Sequence, residues 1–383
     1  MTSGKGDVWE NGRVSHPVRA VVSDAAIRRN VAALRARTAA AVMAVVKADA
    51  YGHGARHAAR AAVEGGATWL GIAQVEEAVA LAPDLPAARV LAWLHTPRTD
   101  LRAALRLGID LGVGDRGAVE HVADTAAALG RTARVHLKVD TGMARGGVLP
   151  DQWPDLVRAA LGRRELEVVG IWSHLARADE REDPTTARQT ELFADAVARA
   201  EMLGAAPEVR HLAASAGLLW HPETHFDLVR PGISVYGMAP DGSDPAAVGL
   251  EPAMRLEAEL TLVKRVPAGT PVSYGHTATV GETTLGVVPL GYADGVPRQA
   301  SNRGATVGVG GRTAPVVGRI CMDQFVVDLG PDAPEAAGDR VTVWGPGGPA
   351  VEDWARAAGT INYTITTQVG PRVPRVHVED PWT

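Results

Sequence analysis

The sequence is short of cysteine, of long apolar runs and of excess charge, and each shortage excludes a class of protein. A single cysteine, Cys321, excludes an internal disulfide framework and fits a reducing compartment. No secretory segment follows Met1, and no apolar run approaches the roughly 18 residues of a membrane span, so we expect a cytoplasmic protein. The net charge of −5 offers no basic surface to nucleic acid or to an anionic membrane, which leaves a small molecule as the expected partner.

Lysine is also scarce, and its placement is informative. Only four of the 39 basic side chains are lysines, yet two of them, Lys47 and Lys138, end apolar segments. Arginine cannot supply a deprotonatable amine, whereas a lysine desolvated beside an apolar strand has a lowered pKa and can act as a nucleophile or Schiff-base former. The alternative is that Lys47 lays its aliphatic stem on the strand and keeps its charge in water.

Periodicity divides the chain into a tail and two domains. Residues 1–17 show no periodicity and predict a flexible tail. Residues 18–245 alternate apolar strands with helical segments, whereas residues 246–383 carry period-2 runs broken by Gly-rich and Pro-rich turns. The second domain is therefore predicted to be β-rich, with one helix at 351–358. A separate short strand is predicted at 18–22, ahead of the first domain's helices.

Eight apolar segments of the first domain predict parallel strands, because helical segments such as 24–37 and 185–203 separate them. Their ranges are 41–46, 68–73, 89–94, 109–113, 134–139, 167–173, 208–213 and 232–237. This rhythm predicts an α/β fold, an N-terminal (β/α)8 TIM-type barrel followed by the β-rich domain. An open doubly wound sheet is the alternative, but the Gly-rich fingerprint expected after its first strand is absent.

Reactive side chains follow five of the predicted strands. In a (β/α)8 barrel the site lies at the carboxyl ends of the strands, so these residues are expected at one rim. They are Lys47, Lys138, His174, Ser215 and Arg230. Individually, His174 is open to a structural interpretation and Ser215 to a helix-capping one. Ser215 opposite the small residues of 230–237 also suits phosphate binding.

Tyrosine occurs five times, and four of these residues stand beside glycine or a Gly-containing turn. Packing in a turn is the structural interpretation, and it suits Tyr236. For Tyr274, in VSYGHT, acid–base chemistry is the alternative, because a phenol placed against cationic groups can accept and return a proton.

Several long motifs together carry a resemblance to a known family. They are AVVKADAYGHG, HLKVDTGMARGG, WSHLARADE, DLVRPGISVYG, VSYGHT, LGYADGVPR, GRICMDQFVVDL, GTINY and RVPRV. In this order they resemble the alanine racemase family through nearly the whole chain. The resemblance implies a pyridoxal 5′-phosphate enzyme with a barrel, a C-terminal β domain and a head-to-tail homodimer that shares its active sites. It also implies that the first short strand, 18–22, packs with the C-terminal domain.

The resemblance also implies roles at the reacting centre. Lys47 would bond to the cofactor aldehyde and serve as one base, and Tyr274 of the partner subunit would serve as the other. Arg230 would donate to the pyridine nitrogen without protonating it. His174 would lie between Arg230 and Tyr274.

Binding roles follow from the same resemblance, and no metal is implied. The phosphate would be held by Tyr51, Ser215, Gly232, Ile233 and Tyr363. The substrate would be bound by Arg145, with the backbone of Met322 assisting and Tyr292 limiting its size. Lys138 matches a lysine that is carbamylated in many members, and its new carboxylate would orient Arg145.

The chain departs from the family pattern at several positions. Ala214 replaces an asparagine of the usual HxANSA motif, Asp49 stands where asparagine is usual, and 22–26 reads VSDAA rather than IDLDA. These departures leave open a paralogous racemase acting on serine or a biosynthetic intermediate. A fold-related decarboxylase, a non-catalytic cofactor-binding barrel and a sugar-phosphate barrel are weaker alternatives.

Overall fold

The computed structural model describes residues 16–85 and 88–380, which form two compact units. One unit is built on Ser23–Ala253, the other on residues 16–22 with Met254–His377. The sequence pattern placed the division at residue 245; the contacts place it after Ala253, whose N–H donates to the carbonyl of Tyr236 at 3.1 Å. Of the predicted tail, residues 1–15 lie outside the described residues.

The larger unit confirms the predicted barrel: eight parallel strands with helices between them. Its strands are Ala41–Val45, Trp69–Gln74, Arg89–Leu94, Asp110–Val113, Ala133–Lys138, Leu166–Trp172, Val209–His211 and Leu228–Val229. Its helices are Asp24–Arg35, Ala55–Glu64, Val75–Leu81, Arg102–Arg106, Arg116–Leu129, Trp153–Leu161, Thr185–Met202 and Ser215–Trp220. The last strand pairs with the first, and backbone bonds from Asp227 to Arg210 and from Arg230 to Ala213 join the remaining edges.

The eighth strand was predicted wrongly at 232–237. It lies at Leu228–Val229, and Ile233–Tyr236 forms a 3-10 helix after Pro231 and Gly232. All four side chains of this helix are buried, so the segment has no polar face by which its helical period could be recognised. The phenol of Tyr236 instead donates to the carbonyl of Val45 at 2.8 Å, which secures the helix beneath the first barrel strand.

The first helix shows how the sequence specifies its start. Asp24–Arg35 buries Ile27, Val31 and Leu34, whose spacing places them on one face of the helix. The cap is Ser23, whose hydroxyl accepts the N–H of Ala26 at 3.1 Å.

The smaller unit is a nine-stranded sheet, which confirms the predicted β-rich domain. In spatial order its strands are Leu262–Val266, Thr283–Val288, Phe325–Gly330, Arg312–Val317, Thr306–Val309, Arg340–Trp344, Met254–Glu259, Val18–Ser23 and Arg375–Val378. Thr270–Val272 and Ala278–Val280 form a separate hairpin, and the helices are Val351–Ala358 and Asn362–Thr367. Residues 260–261 separate the strands Met254–Glu259 and Leu262–Val266, and the short strand at 18–22 pairs with Met254–Glu259.

Within residues 16–85 and 88–380, every helix is too short or too polar to cross a bilayer.

Candidate functional site

Lys47 begins a strained turn that follows the first barrel strand. The next four residues, Ala48 to Tyr51, all have φ between 51° and 55°, a left-handed turn made without glycine. Each non-glycine residue in this conformation costs roughly 1–2 kcal/mol. Backbone strain of this extent is retained where the surrounding structure enforces it, and it concentrates at functional sites.

Two buried rings hold this turn. The Nδ1 atom of His53 lies 3.0 Å from the carbonyl oxygen of Ala50 and 3.1 Å from that of Tyr51. The His53 ring stacks on Tyr236 at 4.4 Å, and the Tyr51 ring lies 5.1 Å from Tyr236. The position of Tyr51 is therefore set by packing as well as by the backbone.

A small polar cradle lies at the end of the Tyr51 side chain. A Cβ atom on Gly232 would come within 2.2 Å of the Tyr51 hydroxyl, so glycine is what allows the approach. The Ser215 hydroxyl accepts the N–H groups of Gly232 at 2.9 Å and Ser234 at 3.4 Å, which leaves its own O–H to donate. Ile233 begins a 3-10 helix, so its N–H has no intrahelical acceptor. This donor set suits a phosphate.

Ser215 is thus the first residue of its helix rather than its cap; Ala214 occupies the cap position. The asparagine expected there is absent, and with it a polar side chain beside Arg230, to which Ala214 forms an isolated backbone bridge.

Basic groups converge on Lys47 at the same rim. Burial and the guanidinium groups of Arg145 and Arg230 lower the pKa of the Lys47 amine, against an opposing effect of Glu77. Burial, Arg230 and Arg145 likewise lower the pKa of Lys138 to about 8. The site therefore holds two amines that lose their proton more readily than an ordinary lysine.

The loop that carries Arg145 is shaped by Asp140, whose carboxylate accepts the N–H groups of Gly142, Met143 and Ala144 at 2.8–3.1 Å. Arg145 itself is exposed, as expected of a group that meets a substrate.

Arg230 is buried and held on several sides. Its Nη2 donates to the carbonyls of Ser173 and Leu212 at 2.8 and 3.0 Å and lies 3.2 Å from Nδ1 of His174. Burial lowers the pKa of Arg230 to about 9, so the group stays charged at neutral pH. Burial and the surrounding cations hold the pKa of His174 well below its usual value, so that this imidazole is neutral and accepts from Arg230.

A set of polar residues that was not predicted from the sequence lies next to Arg230. Its Nη1 lies 3.1 Å from Nδ1 of His211, and His211 continues to His136 and Asp110. Trp172 lies against the same group: its ring stacks on that of His211 at 5.7 Å, with Lys138 Nζ 4.4 Å from its centroid. The sequence signal that could have identified these residues is the presence of polar side chains at inward positions of apolar barrel strands.

Asp49, which stands where the family usually has asparagine, makes a local side-chain hydrogen bond that explains its role in the structure. Its Oδ1 accepts the N–H of Ala55 at 2.8 Å, at the start of the helix Ala55–Glu64. An asparagine carbonyl oxygen could accept the same bond, so this contact is available to either residue.

Tyr274 lies in the second unit within another strained segment. Ser273 and His276 on either side have φ of 61° and 46°, and Tyr274 is 72% exposed. The Ser273 hydroxyl donates to the carbonyl of Arg319 at 2.7 Å and holds this conformation. A cleft of about 420 Å³ opens beside the phenol, with Cys321 and Phe325 in its lining.

Two further predicted residues lie together in this unit. Tyr292 donates its N–H to the carbonyl of Cys321, and Ala293 donates to that of Met322, both at 3.0 Å. The side chains of Tyr292 and Met322 are 44% and 52% exposed. Tyr363 lies apart from them in sequence, in the helix Asn362–Thr367, and is partly buried.

Of the predicted residues, the barrel unit thus brings nine to one rim, and the second unit carries the other four. The nine are Lys47, Tyr51, Lys138, Arg145, His174, Ser215, Arg230, Gly232 and Ile233.

Comparison with known proteins identifies relatives along the whole chain. Residues 22–240 match the family model for the alanine racemase N-terminal domain, and residues 253–377 match that for the C-terminal domain. An alanine racemase of Beutenbergia cavernae is 55% identical over 95% of this chain and 99% of its own length.

Solved structures agree with this assignment. The alanine racemase of a D-cycloserine-producing Streptomyces lavendulae superposes with a TM-score of 0.93 at 49% identity, covering 96% of this chain and 98% of that one. The alanine racemase of Bartonella henselae, solved with covalently bound pyridoxal phosphate, superposes with a TM-score of 0.85 at 29% identity, covering 95% and 100% of the two chains.

Proposed function

This chain belongs to the alanine racemase family, and on that premise we propose that it interconverts L-alanine and D-alanine with pyridoxal 5′-phosphate bound at Lys47. The observation that carries the proposal is the barrel rim, where a lysine of lowered pKa lies beside a polar cradle of hydrogen-bond donors and a buried arginine. D-Alanine made in this way would supply cell-wall peptidoglycan.

The residues present fit the cofactor. Tyr51, Ser215 and the N–H of Ile233 offer donors around the space kept open by Gly232, and Tyr363 is proposed as a further phosphate contact. When bound, pyridoxal phosphate supplies an electron sink conjugated to the substrate α-carbon, which allows a modest base to remove the α-proton.

Inversion requires a proton donor or acceptor on each face of the α-carbon. The Lys47 amine, with its lowered pKa, takes the proton from one face or returns it there. Tyr274 of the partner subunit performs the same task on the opposite face. The proton removed by one group is replaced by a proton from the other, so the configuration at the α-carbon inverts.

Arg230 and His174 support this exchange. Arg230 is charged and is a hydrogen-bond donor only, so at the cofactor's pyridine nitrogen it would donate a bond without transferring its proton. The neutral His174 accepts from Arg230 through Nδ1 and would present Nε2 toward Tyr274 of the partner subunit.

Arg145 is proposed to bind the substrate carboxylate by charge-assisted hydrogen bonds, assisted by the backbone N–H of Met322. Lys138 is proposed to react with CO₂: its uncharged amine forms the N–C bond and releases one proton to water. The resulting carbamate would orient Arg145 and replace a repulsion between two cations with an attraction. Tyr292 would limit the size of the substrate.

A homodimer is proposed because three large side chains assigned to the site, Tyr274, Tyr292 and Met322, are 44–72% exposed. A second copy of the chain would cover them and contribute Tyr274 to the site of its partner.

The test is exchange of the α-proton in deuterium oxide, followed by chiral analysis of L-alanine, D-alanine, L-serine and larger amino acids. We expect exchange with inversion, fastest on alanine and abolished in Lys47→Ala. Tyr274→Phe should lose exchange from one enantiomer far more than from the other. Inversion of serine but not of alanine would replace the proposal with a serine racemase, and no exchange on any substrate would refute a racemase.

A further inference from the structure

A continuous row of buried polar groups runs from Arg230 away from the rim and through the barrel. The Arg230 Nη1 lies 3.1 Å from His211 Nδ1, His211 Nε2 lies 2.8 Å from His136 Nδ1, and His136 Nε2 lies 3.3 Å from a carboxylate oxygen of Asp110. We propose that Asp110 and His136 are positioning residues that fix the orientation of Arg230 toward the cofactor by setting the tautomers of both histidines. The role of Arg230 on which this rests is that of the proposed function.

The order of donors along the row follows from its ends. A guanidinium has no acceptor, so His211 must receive the Arg230 bond on an unprotonated Nδ1. The neutral His211 then carries its proton on Nε2 and donates to His136 Nδ1. His136 in turn carries its proton on Nε2 and donates to Asp110, whose ionised carboxylate can only accept. One arrangement of protons satisfies all three contacts.

Burial makes this arrangement rigid. His136, His211 and Asp110 are at most 2% exposed, so water cannot replace a lost partner. Burial also holds the pKa of both histidines below the usual value, which keeps them neutral. Trp172 stacks on His211 with an interplanar angle of 2°, and the edge of Trp69 meets His136.

The barrel is built around this row at one further position. A Cβ atom on Gly170 would lie 2.0 Å from His136 Nδ1, the atom that accepts from His211. Glycine at position 170 therefore leaves room for the ring of His136, and a methyl group at this position would displace the ring.

The row ends on a carboxylate that is itself held in place. Among described residues, the acceptors of Arg230 are two carbonyls and two imidazoles, and none is a carboxylate. Asp110 ends the row, and Arg89 and Arg134 hold it at 3.2 and 3.1 Å. All these bonds of Arg230 use Nη1 and Nη2, which leaves its Nε–H as a donor for the cofactor.

The first experiment records imidazole ¹⁵N spectra of the holoenzyme with labelled histidine between about pH 6 and 8. His211→Gln and His136→Gln spectra assign the two signals. We expect both residues as neutral Nε2–H tautomers throughout. An Nδ1–H tautomer or an imidazolium at either residue overturns the inference, whatever the enzyme's activity.

The second experiment measures affinity for pyridoxal phosphate and the absorbance of the bound cofactor in Gly170→Ala and Asp110→Ala. Gly286→Ala is the matched control: it alters a buried strand glycine of the second unit, whose Cβ would meet the side chains of Leu260, Leu329 and Val327 and not the row. We expect affinity to fall on the order of tenfold in both variants, with a shifted absorbance, and to be unchanged in the control.

Thermal stability is measured alongside, so that a loss of folding is distinguished from a loss of positioning. If either variant loses stability yet keeps wild-type cofactor affinity and absorbance, Asp110 and His136 are structural only. Failure of the wild-type protein to racemise any amino acid would refute the proposed function and leave the spectra as an independent test of the row.

Discussion

Replacement of Gly232 by alanine tests the phosphate cradle most directly. The added Cβ would lie 2.2 Å from the Tyr51 hydroxyl and 2.9 Å from the ring carbon that carries it, whereas ordinary contacts begin at 3.4 Å. Tyr51 must therefore move by about 1 Å or more. It cannot do so freely, because it lies on the left-handed turn and packs against Tyr236 at 5.1 Å.

The magnitude follows from the contact that is lost. A hydrogen bond to a charged group contributes about 1.5–3 kcal/mol, so loss of the Tyr51 bond to phosphate should weaken cofactor binding by about 10- to 150-fold. Titration of the apoenzyme with pyridoxal phosphate, followed by the absorbance of the lysine-bound cofactor, measures this change.

Tyr51→Phe is the matched variant, because it removes the hydroxyl and leaves the glycine. The two changes should be strongly non-additive, since Gly232→Ala has little further bond to break once the hydroxyl is gone. Wild-type affinity in Gly232→Ala, or additive losses in the double variant, would show that Tyr51 and Gly232 do not form one phosphate site.

Three further predictions concern the departures from the family pattern and the second lysine. Asp49→Asn should change the free energy of unfolding by less than about 0.5 kcal/mol, because either side chain accepts the Ala55 N–H; a larger shift of the urea midpoint would contradict this reading. Ala214→Asn should alter the ratio of alanine turnover to serine turnover, measured by steady-state kinetics on both substrates, and should leave cofactor affinity within about threefold of wild type. An unchanged ratio would show that Ala214 does not determine substrate choice. The pKa of Lys138 is lowered to about 8, so its uncharged form grows as the pH rises through 8. Activation of the enzyme by bicarbonate should therefore increase from pH 7 to 9, and the peptide containing Lys138 should gain the mass of CO₂. If the activation does not rise across this pH range and is the same in Lys138→Ala, the carbamate is excluded.

Much of this architecture could be predicted from the sequence because burial of a helix or strand leaves a periodic pattern of apolar residues. Alternation of apolar strands with helical segments identified seven of the eight barrel strands within a residue or two, and the helix at Val351–Ala358 was placed at its observed bounds. The segment 233–236 was misread because it is buried on every side, so apolar character carried no information about its period.

The rim residues could also be predicted, since parallel strands place their carboxyl ends at one edge of a barrel. Knowing only that Lys47, Lys138, His174, Ser215 and Arg230 follow strands was enough to group them. Desolvation of a lysine at a strand end could be predicted, but the charged groups that surround it could not. The lowered pKa of Lys47 depends on burial and on Arg145, which lies 98 residues further along the chain.

What the sequence determined by itself was therefore the order of elements, the reactive groups at the strand ends and the lysine that binds the cofactor in the proposed function. These are local properties, carried by periodicity and by residue type. Tertiary structure alone decided the left-handed turn after Lys47, the approach of Gly232 to Tyr51 and the row from Arg230 to Asp110. The last joins residues 19, 75 and 26 positions apart, and hydrogen-bond partners at such separations are chosen by packing, for which a single sequence contains no pattern.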